Sequence, residues 1–129
     1  MDLDVLKAVK RRPIDEPEFK QLMSEYDADG VPTYTEIILG LPAETPDGFK
    51  KGLSKLFDLG QHEGVNVYPS IMLENSEMNA RAYREEYQLK TTNMPMLLLH
   101  GTPDQYPEYY DLITSTSTMT RDEWIDCLM

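Results

Sequence analysis

The segment from residue 34 to residue 68 constrains the fold most, because strand, helix and strand patterns follow one another within it. Residues 33–39 are rich in β-branched side chains and end in a continuous apolar run, which is typical of a buried parallel strand. After a loop with glycine and proline comes a helical apolar stripe that ends at Gly60, and a second strand over 65–68. The stripe consists of Phe49, Leu53, Leu56 and Phe57. We predict one βαβ unit with a right-handed crossover.

Helical patterns flank this unit on both sides. Residues 2–11 predict a short amphipathic helix with acidic residues first and basic residues behind them, as the helix dipole favours. The run 15–17 starts a second helix, which Gly30 ends. Ser76 is predicted to cap a helix through Tyr87. Thr120 and Glu123 have the spacing of a capping box ahead of a C-terminal helix, and residues 96–99 and 109–114 predict two strands, which would pair antiparallel across a turn at 101–104.

The charge balance excludes several functions. The chain has 129 residues with 12 Lys+Arg against 23 Asp+Glu, a net charge of −11, so it lacks the excess of cations that phosphate contacts require. The one basic cluster is interpreted as a solvated helix end; it consists of Lys7, Lys10, Arg11 and Arg12. The longest apolar runs, 37–39 and 96–99, are far shorter than the ~20 residues that span a bilayer. We therefore expect a cytoplasmic α/β protein with no nucleic-acid or membrane partner and no signal peptide.

The single cysteine, Cys127, limits the cofactor chemistry. It cannot form an internal disulfide, and it cannot by itself hold an iron–sulfur cluster or a cysteine-based zinc ion, which need three or four thiolates. His62 and His100 are far apart in sequence, so we predict no metal site. We also predict no nucleophile at Cys127, because no histidine is near it in sequence. We interpret the tyrosines 106, 109 and 110 as packing beneath a proline-rich loop rather than stacking on a ligand.

The stretch from residue 36 to residue 45 carries the most specific functional signal. It delivers a Gly-Pro loop at the carboxyl end of a strand and then begins a helix, which is where α/β proteins gather ligands. Glu36 and Glu44 are the candidate polar ligands. The alternative is that Glu44 and Thr45 only cap the helix and that Glu36 pairs with a neighbouring side chain.

These residues resemble a known family. The strand followed by Gly-Leu-Pro-Ala-Glu-Thr at 40–45 and a helix with an early aromatic residue is similar to the fifth strand and loop of radical S-adenosylmethionine (SAM) enzymes, with Ala43 where glycine is usual. Alanine tolerates a positive φ only at a cost, so the local shape of the loop is a point to test. The other similar segments, particularly close to members with a cobalamin-binding domain, are 5–11, 32–36, 60–62, 67–69, 75–78 and 117–124.

The resemblance implies a fold and a site. The fold would be the second half of a partial (β/α)6 TIM-like barrel over residues 1–90, with a C-terminal strand pair and helix over 91–129. The cofactor-binding residues would be Glu36, Ile38, Gly40, Leu41 and Tyr68, on the adenosine side of the cofactor, with Val67 beside Tyr68. Glu36 lies two strand alternations from Gly40, and hence on the same face of the sheet. No catalytic residue and no metal ligand is expected among them.

The family's cluster motif CxxxCxxC does not occur in this chain. We therefore expect the C-terminal part of a larger enzyme, which would use SAM, a 4Fe–4S cluster and, in this subgroup, cobalamin for radical or methyl transfer. Alone, the chain should be inactive and bind none of these groups. A half barrel exposes strand edges, so we expect a homo-oligomer. The alternative is a non-catalytic α/β module that binds a partner protein or small ligand on the same loop face.

Overall fold

The computed structural model describes residues 2–95 and 109–129, and they form a mixture of helices and strands. The helices are α1 Leu3–Ala8, α2 Glu16–Ala28, α3 Pro46–Asp58, α4 Arg81–Glu86 and α5 Arg121–Leu128. The strands are β1 Thr35–Leu39, β2 Val65–Pro69, β3 Ile71–Met72, β4 Lys90–Pro95 and β5 Tyr109–Ser115. The predicted α/β class is confirmed, whereas the half barrel and the boundary at residue 90 stay predictions.

The predicted βαβ unit is present. Strand β1 pairs in parallel with β2, in register from Thr35 opposite Val65 to Leu39 opposite Pro69, and α3 connects the two strands. Gln61 fixes the entry to both strands. Its fully buried side chain accepts a hydrogen bond from the Thr35 hydroxyl (2.8 Å) and donates to the carbonyl oxygens of residues 33 and 64. A buried amide that uses both its donor and its acceptor groups stabilises this corner without an unpaired polar atom.

The helix signals of the sequence are confirmed at most ends. The Asp15 carboxylate caps α2 at the amide of Glu18, and Gly30 follows that helix with φ 65°. Thr45 caps α3 with Pro46 in the first turn, and Thr120 with Glu123 forms a capping box on α5; the two hydroxyls accept from Gly48 and Glu123. These local patterns predicted the structure because each satisfies otherwise unpaired amides of a first turn.

The predicted helix from Ser76 to Tyr87 is wrong in one respect. A 3-10 turn over Glu77–Asn79 is followed by α4, and Ala80 between them has an extended backbone with ψ 137°. Ser76 makes no side-chain cap, because its hydroxyl donates backward to the carbonyl oxygen of Leu73 at 2.8 Å. The serine thus closes the preceding turn, and the helix starts four residues later than predicted.

The second sheet has the strand order β3-β5-β4, and both of its pairings are antiparallel. Strand β5 confirms the predicted strand over 109–114, but its described partners are β3 and β4, and the sequence patterns predicted neither of them. The predicted strand over 96–99, the turn at 101–104, Tyr106 and His100 lie outside the described residues. Ser70 connects the two sheets: its amide donates to the Leu39 carbonyl oxygen (2.8 Å), and its own carbonyl oxygen accepts from the Ile113 amide (2.9 Å).

Two apolar clusters hold the elements together. The first consists of Leu39, Phe49, Met119 and Trp124 and joins β1 and α3 to the C-terminal helix. The second consists of Met72, Leu89 and Ile113 beneath the antiparallel sheet, with Tyr83 and Tyr87 against it. Among the described helices, none is both long enough and apolar enough to cross a membrane.

Candidate functional site

The 40–45 loop leaves the carboxyl end of β1 in an unusual backbone conformation. Gly40 has φ 87°, and Ala43 has φ 66°, so the position where the family usually has glycine does take a left-handed conformation. This conformation costs a residue with a Cβ atom about 1–2 kcal/mol. The loop is closed by two hydrogen bonds: the Gly40 amide donates to Glu44 Oε2 at 2.8 Å, and the Glu44 amide donates to the Leu41 carbonyl oxygen at 3.1 Å.

The Glu44 side chain forms a hydrogen bond within this loop. The side chain is buried, with 4% of the residue exposed. Burial raises the pKa of the carboxyl group, while the hydrogen bond from the Gly40 amide favours the charged form and lowers the pKa by a smaller amount. The helix cap is Thr45 and not Glu44, because the Thr45 hydroxyl is the group that accepts from the first turn of α3. Glu44 therefore stabilises the loop across its own span.

One face of the parallel sheet is open. Glu36 lies opposite Asn66, and Ile38 lies opposite Tyr68, so these four residues share a face. Glu36, Asn66 and Tyr68 are exposed, and Ile38 is half-buried. The other face carries Leu39, which is fully buried in the first cluster. The sheet thus has one packed face and one face available to a ligand or another chain segment.

A cleft of about 850 Å³ runs beside β1, between α1 and α3, and we call it the β1 cleft. Its walls on the sheet side are Glu36, Ile38, Leu41, Tyr68, Ile71 and Leu73. Val5 of α1 and Val9, the residue that follows α1, contribute the facing apolar wall. At the edge, Lys10 pairs with Glu77 at 2.6 Å, and both side chains are more than half exposed. An ion pair as exposed as this contributes little to stability.

Four of the five predicted site residues line the β1 cleft, namely Glu36, Ile38, Leu41 and Tyr68. Gly40 is not among the lining residues: it is buried, and its amide is already bonded to Glu44. Glu36 forms no ion pair within the described part of the chain. Whether these residues contact a cofactor stays a prediction.

Two residues that the sequence patterns did not predict contact the 40–45 loop. The indole of Trp124 lies over Gly40, and the Thr118 hydroxyl donates to the Glu44 carbonyl oxygen at 2.6 Å. Both come from the far end of the chain, so no spacing or periodicity in the sequence could place them there. The one available signal was that the segment 117–124 resembles the same family as the loop.

Among the described residues, neither His62 nor Cys127 lines the β1 cleft. Within residues 2–95 and 109–129, no three histidine, cysteine or acidic side chains lie close enough to hold a metal ion. Burial raises the pKa of the half-buried Cys127 thiol, which disfavours the nucleophilic thiolate.

Comparison with known proteins shows the class to which this loop and sheet are similar: the cobalamin-dependent radical SAM methyltransferases. The chain is 39% identical over 127 residues to the 2-(S-pantetheinyl)-carbapenam-3-carboxylate methyltransferase of Streptantibioticus cattleyicolor. It is 37% identical over 126 residues to TokK, the cobalamin-dependent radical SAM methyltransferase of Streptomyces tokunonensis. No protein-family model matches.

The matches cover 98% and 97% of this chain, but only 19% and 18% of the two relatives. The chain therefore spans about a fifth of the length of the curated relatives that it matches. The resemblance identified from the sequence is confirmed: nearly the whole chain is similar to the C-terminal portion of enzymes of the cobalamin-dependent radical SAM subgroup.

Proposed function

We propose that this chain is the C-terminal part of a cobalamin-dependent radical SAM methyltransferase and supplies one wall of its cofactor site. The observation that carries the proposal is the match over nearly the whole chain to about a fifth of two such enzymes. In the whole protein, a 4Fe–4S cluster would cleave SAM reductively, and a methyl group or radical would pass to the substrate. The cluster and SAM would supply that chemistry, and the residues described here would bind SAM and orient it.

We assign the adenosine side of SAM to the β1 cleft. Ile38, Leu41 and Tyr68 offer apolar and aromatic surface for a flat base, and the exposed Glu36 carboxylate can accept hydrogen bonds from hydroxyl groups. Gly40 would act differently, because its amide is occupied by Glu44 and has no free hydrogen to offer. Its contribution would be the backbone turn that lets Leu41 reach the cleft.

We further propose that the segment preceding this part in the whole protein closes the β1 cleft. Among the described strands, β1 pairs only with β2, and the cleft runs along β1 beside α1. A parallel strand added at that edge would pair its unsatisfied backbone groups and continue the sheet toward the predicted half barrel. The length of the relatives beyond the match is the source of such a strand.

The chain alone should not bind SAM. Its single cysteine cannot provide the three thiolates of a CxxxCxxC cluster motif, and the β1 cleft is open without the preceding segment that is proposed to close it. Isothermal titration calorimetry of SAM into the purified chain is expected to give no binding heat. Tight binding would overturn the claim that the rest of the enzyme is needed. Reading the gene upstream should reveal the cysteine motif, at a distance estimated at roughly a hundred residues from four preceding βα units.

In isolation the exposed sheet should drive self-association. Sedimentation velocity is expected to show species heavier than the 14.9 kDa monomer that increase with concentration. Ile38→Lys, on the open face, should shift the distribution toward monomer, because a charge pointing from a strand into a contact opposes pairing. Leu22→Lys, on the exposed side of α2 with 41% exposure, is the matched control and should leave the distribution unchanged. A clean monomer at high concentration would contradict the proposal.

A further inference from the structure

The indole of Trp124 lies so close to Gly40 that a Cβ atom at residue 40 would require the ring or its neighbours to shift by a few tenths of an ångström. A Cβ atom at residue 40 would lie 3.0 Å from Trp124 Nε1, 3.1 Å from its Cδ1 and 3.3 Å from the Ile113 carbonyl oxygen. Trp124 is 7% exposed, and its Nε1 is the one buried side-chain nitrogen or oxygen without a partner among the described residues. The contact between the C-terminal helix and the 40–45 loop is therefore close and specific.

A second contact reaches the other end of the same loop. The Thr118 hydroxyl donates to the Glu44 carbonyl oxygen at 2.6 Å, although 74 residues separate them. Thr118 is itself fixed, because its amide donates to the Thr116 hydroxyl and the Thr116 amide donates to the Met119 carbonyl oxygen. Met119 is 2% exposed in the first apolar cluster. Thr118 thus lies in a hydrogen-bonded turn, which Met119 connects to the first apolar cluster.

The loop needs this external support. Gly40 and Ala43 both have a positive φ, and a non-glycine residue persists in that conformation only where surrounding contacts hold it. The hydrogen bonds within the loop are those of Glu44, whose carboxyl group is itself unfavourably buried when charged. The C-terminal segment contacts the first and the last part of the loop, and so holds its two ends at a fixed separation.

We infer that Trp124 and Thr118 are positioning residues for the 40–45 loop, and that the C-terminal segment thereby sets where Leu41 meets the β1 cleft. The effect of this positioning on cofactor binding rests on the proposed function, which assigns Leu41 to the adenosine side of SAM. The positioning itself does not require a ligand. It can therefore be measured on this chain even if the assignment of the cleft to SAM fails.

Hydrogen exchange of the full 129-residue chain tests the inference directly. Thr118→Val removes one hydroxyl with little change of shape, and we expect amides in 39–45 to exchange about 2–10-fold faster, as for one lost hydrogen bond. Amides of the paired strands β4 and β5 should change by less than this. Trp124→Ala should accelerate the loop more than Thr118→Val, whereas Trp124→Phe keeps an aromatic ring over Gly40 and should restore most of the protection.

Equal acceleration of the loop and of the β4–β5 pair would indicate general destabilisation and overturn the inference. Unchanged loop exchange in Thr118→Val would overturn it as well. This conservative variant decides the question if Trp124→Ala does not fold.

Fluorescence gives an independent test, because Trp124 is the only tryptophan of the chain. Gly40→Ala adds a methyl group against the indole and should change the emission of Trp124. Gly30→Ala is the matched control: its φ is 65°, similarly strained for alanine, but nothing lies within 4 Å of the added Cβ atom. We expect no emission change from the control. Identical emission in both variants would contradict the close contact between Trp124 and the loop.

Discussion

Replacing Leu39 by alanine is expected to lower the free energy of unfolding by about 2–5 kcal/mol. Leu39 is fully buried, and it connects β1 with the helices α3 and α5 through Phe49, Met119 and Trp124. Removing most of the side chain would leave a cavity among groups that belong to three separate elements and cannot all move inward. Urea denaturation followed by circular dichroism measures the loss.

The control for this experiment is the neighbouring residue, Ile38. It is half-buried and points from the opposite face of β1 toward the cleft, so Ile38→Ala should cost less than half as much as Leu39→Ala. Similar losses of stability at the two positions would contradict the description of β1 as having one packed face, at Leu39, and one open face, at Ile38. The comparison therefore tests the assignment of the open face as well as the core.

Glu44→Ala is expected to destabilise the chain by about 1–3 kcal/mol, because it leaves the buried Gly40 amide without an acceptor. Glu44→Gln is the matched variant, since its amide oxygen can accept the same hydrogen bond without a buried charge. At pH 7 the glutamine variant should be at least as stable as the wild type. A loss in Glu44→Gln as large as in Glu44→Ala would contradict this account of the loop.

The pH dependence of this pair follows from the direction of the pKa shift. Burial raises the pKa of Glu44 in the folded chain above its ordinary value of 4.5. A group with a raised pKa contributes fully to stability below the unfolded-state pKa, and this contribution is lost as pH rises through the folded-state pKa. The advantage of Glu44→Gln over the wild type should therefore be small near pH 4.5 and grow toward pH 7. Melting temperatures across this range measure it, and a constant difference would contradict the shift.

Local sequence signals predicted the parallel βαβ unit, because the residues that begin and end its helix act on the backbone next to them. Thr45 and Pro46 begin α3, and Gly60 ends it with φ 102°, as their side chains and backbone freedom require. Strand β4 was missed because its sequence, Lys-Thr-Thr-Asn-Met-Pro, is polar and mostly exposed. It is a strand because it pairs with β5, and no pattern within its own residues carries that information.

The candidate site also has residues that the sequence could place and residues that it could not. Glu36 and Ile38 were placed on one face by the alternation of a strand, and Tyr68 joins them because β2 is parallel and in register with β1. Sequence reasoning could not place Trp124 and Thr118, because their contacts with the loop depend on how the C-terminal helix packs. The cytoplasmic location and the five cofactor contacts stay predictions.

Ser70 forms a direct backbone link between the two sheets. Its amide bonds to the last residue of β1 and its carbonyl oxygen to the middle of β5, so one residue couples the backbones of both sheets. The backbone of the antiparallel sheet is thereby connected by two hydrogen bonds to the end of β1, where the 40–45 loop begins.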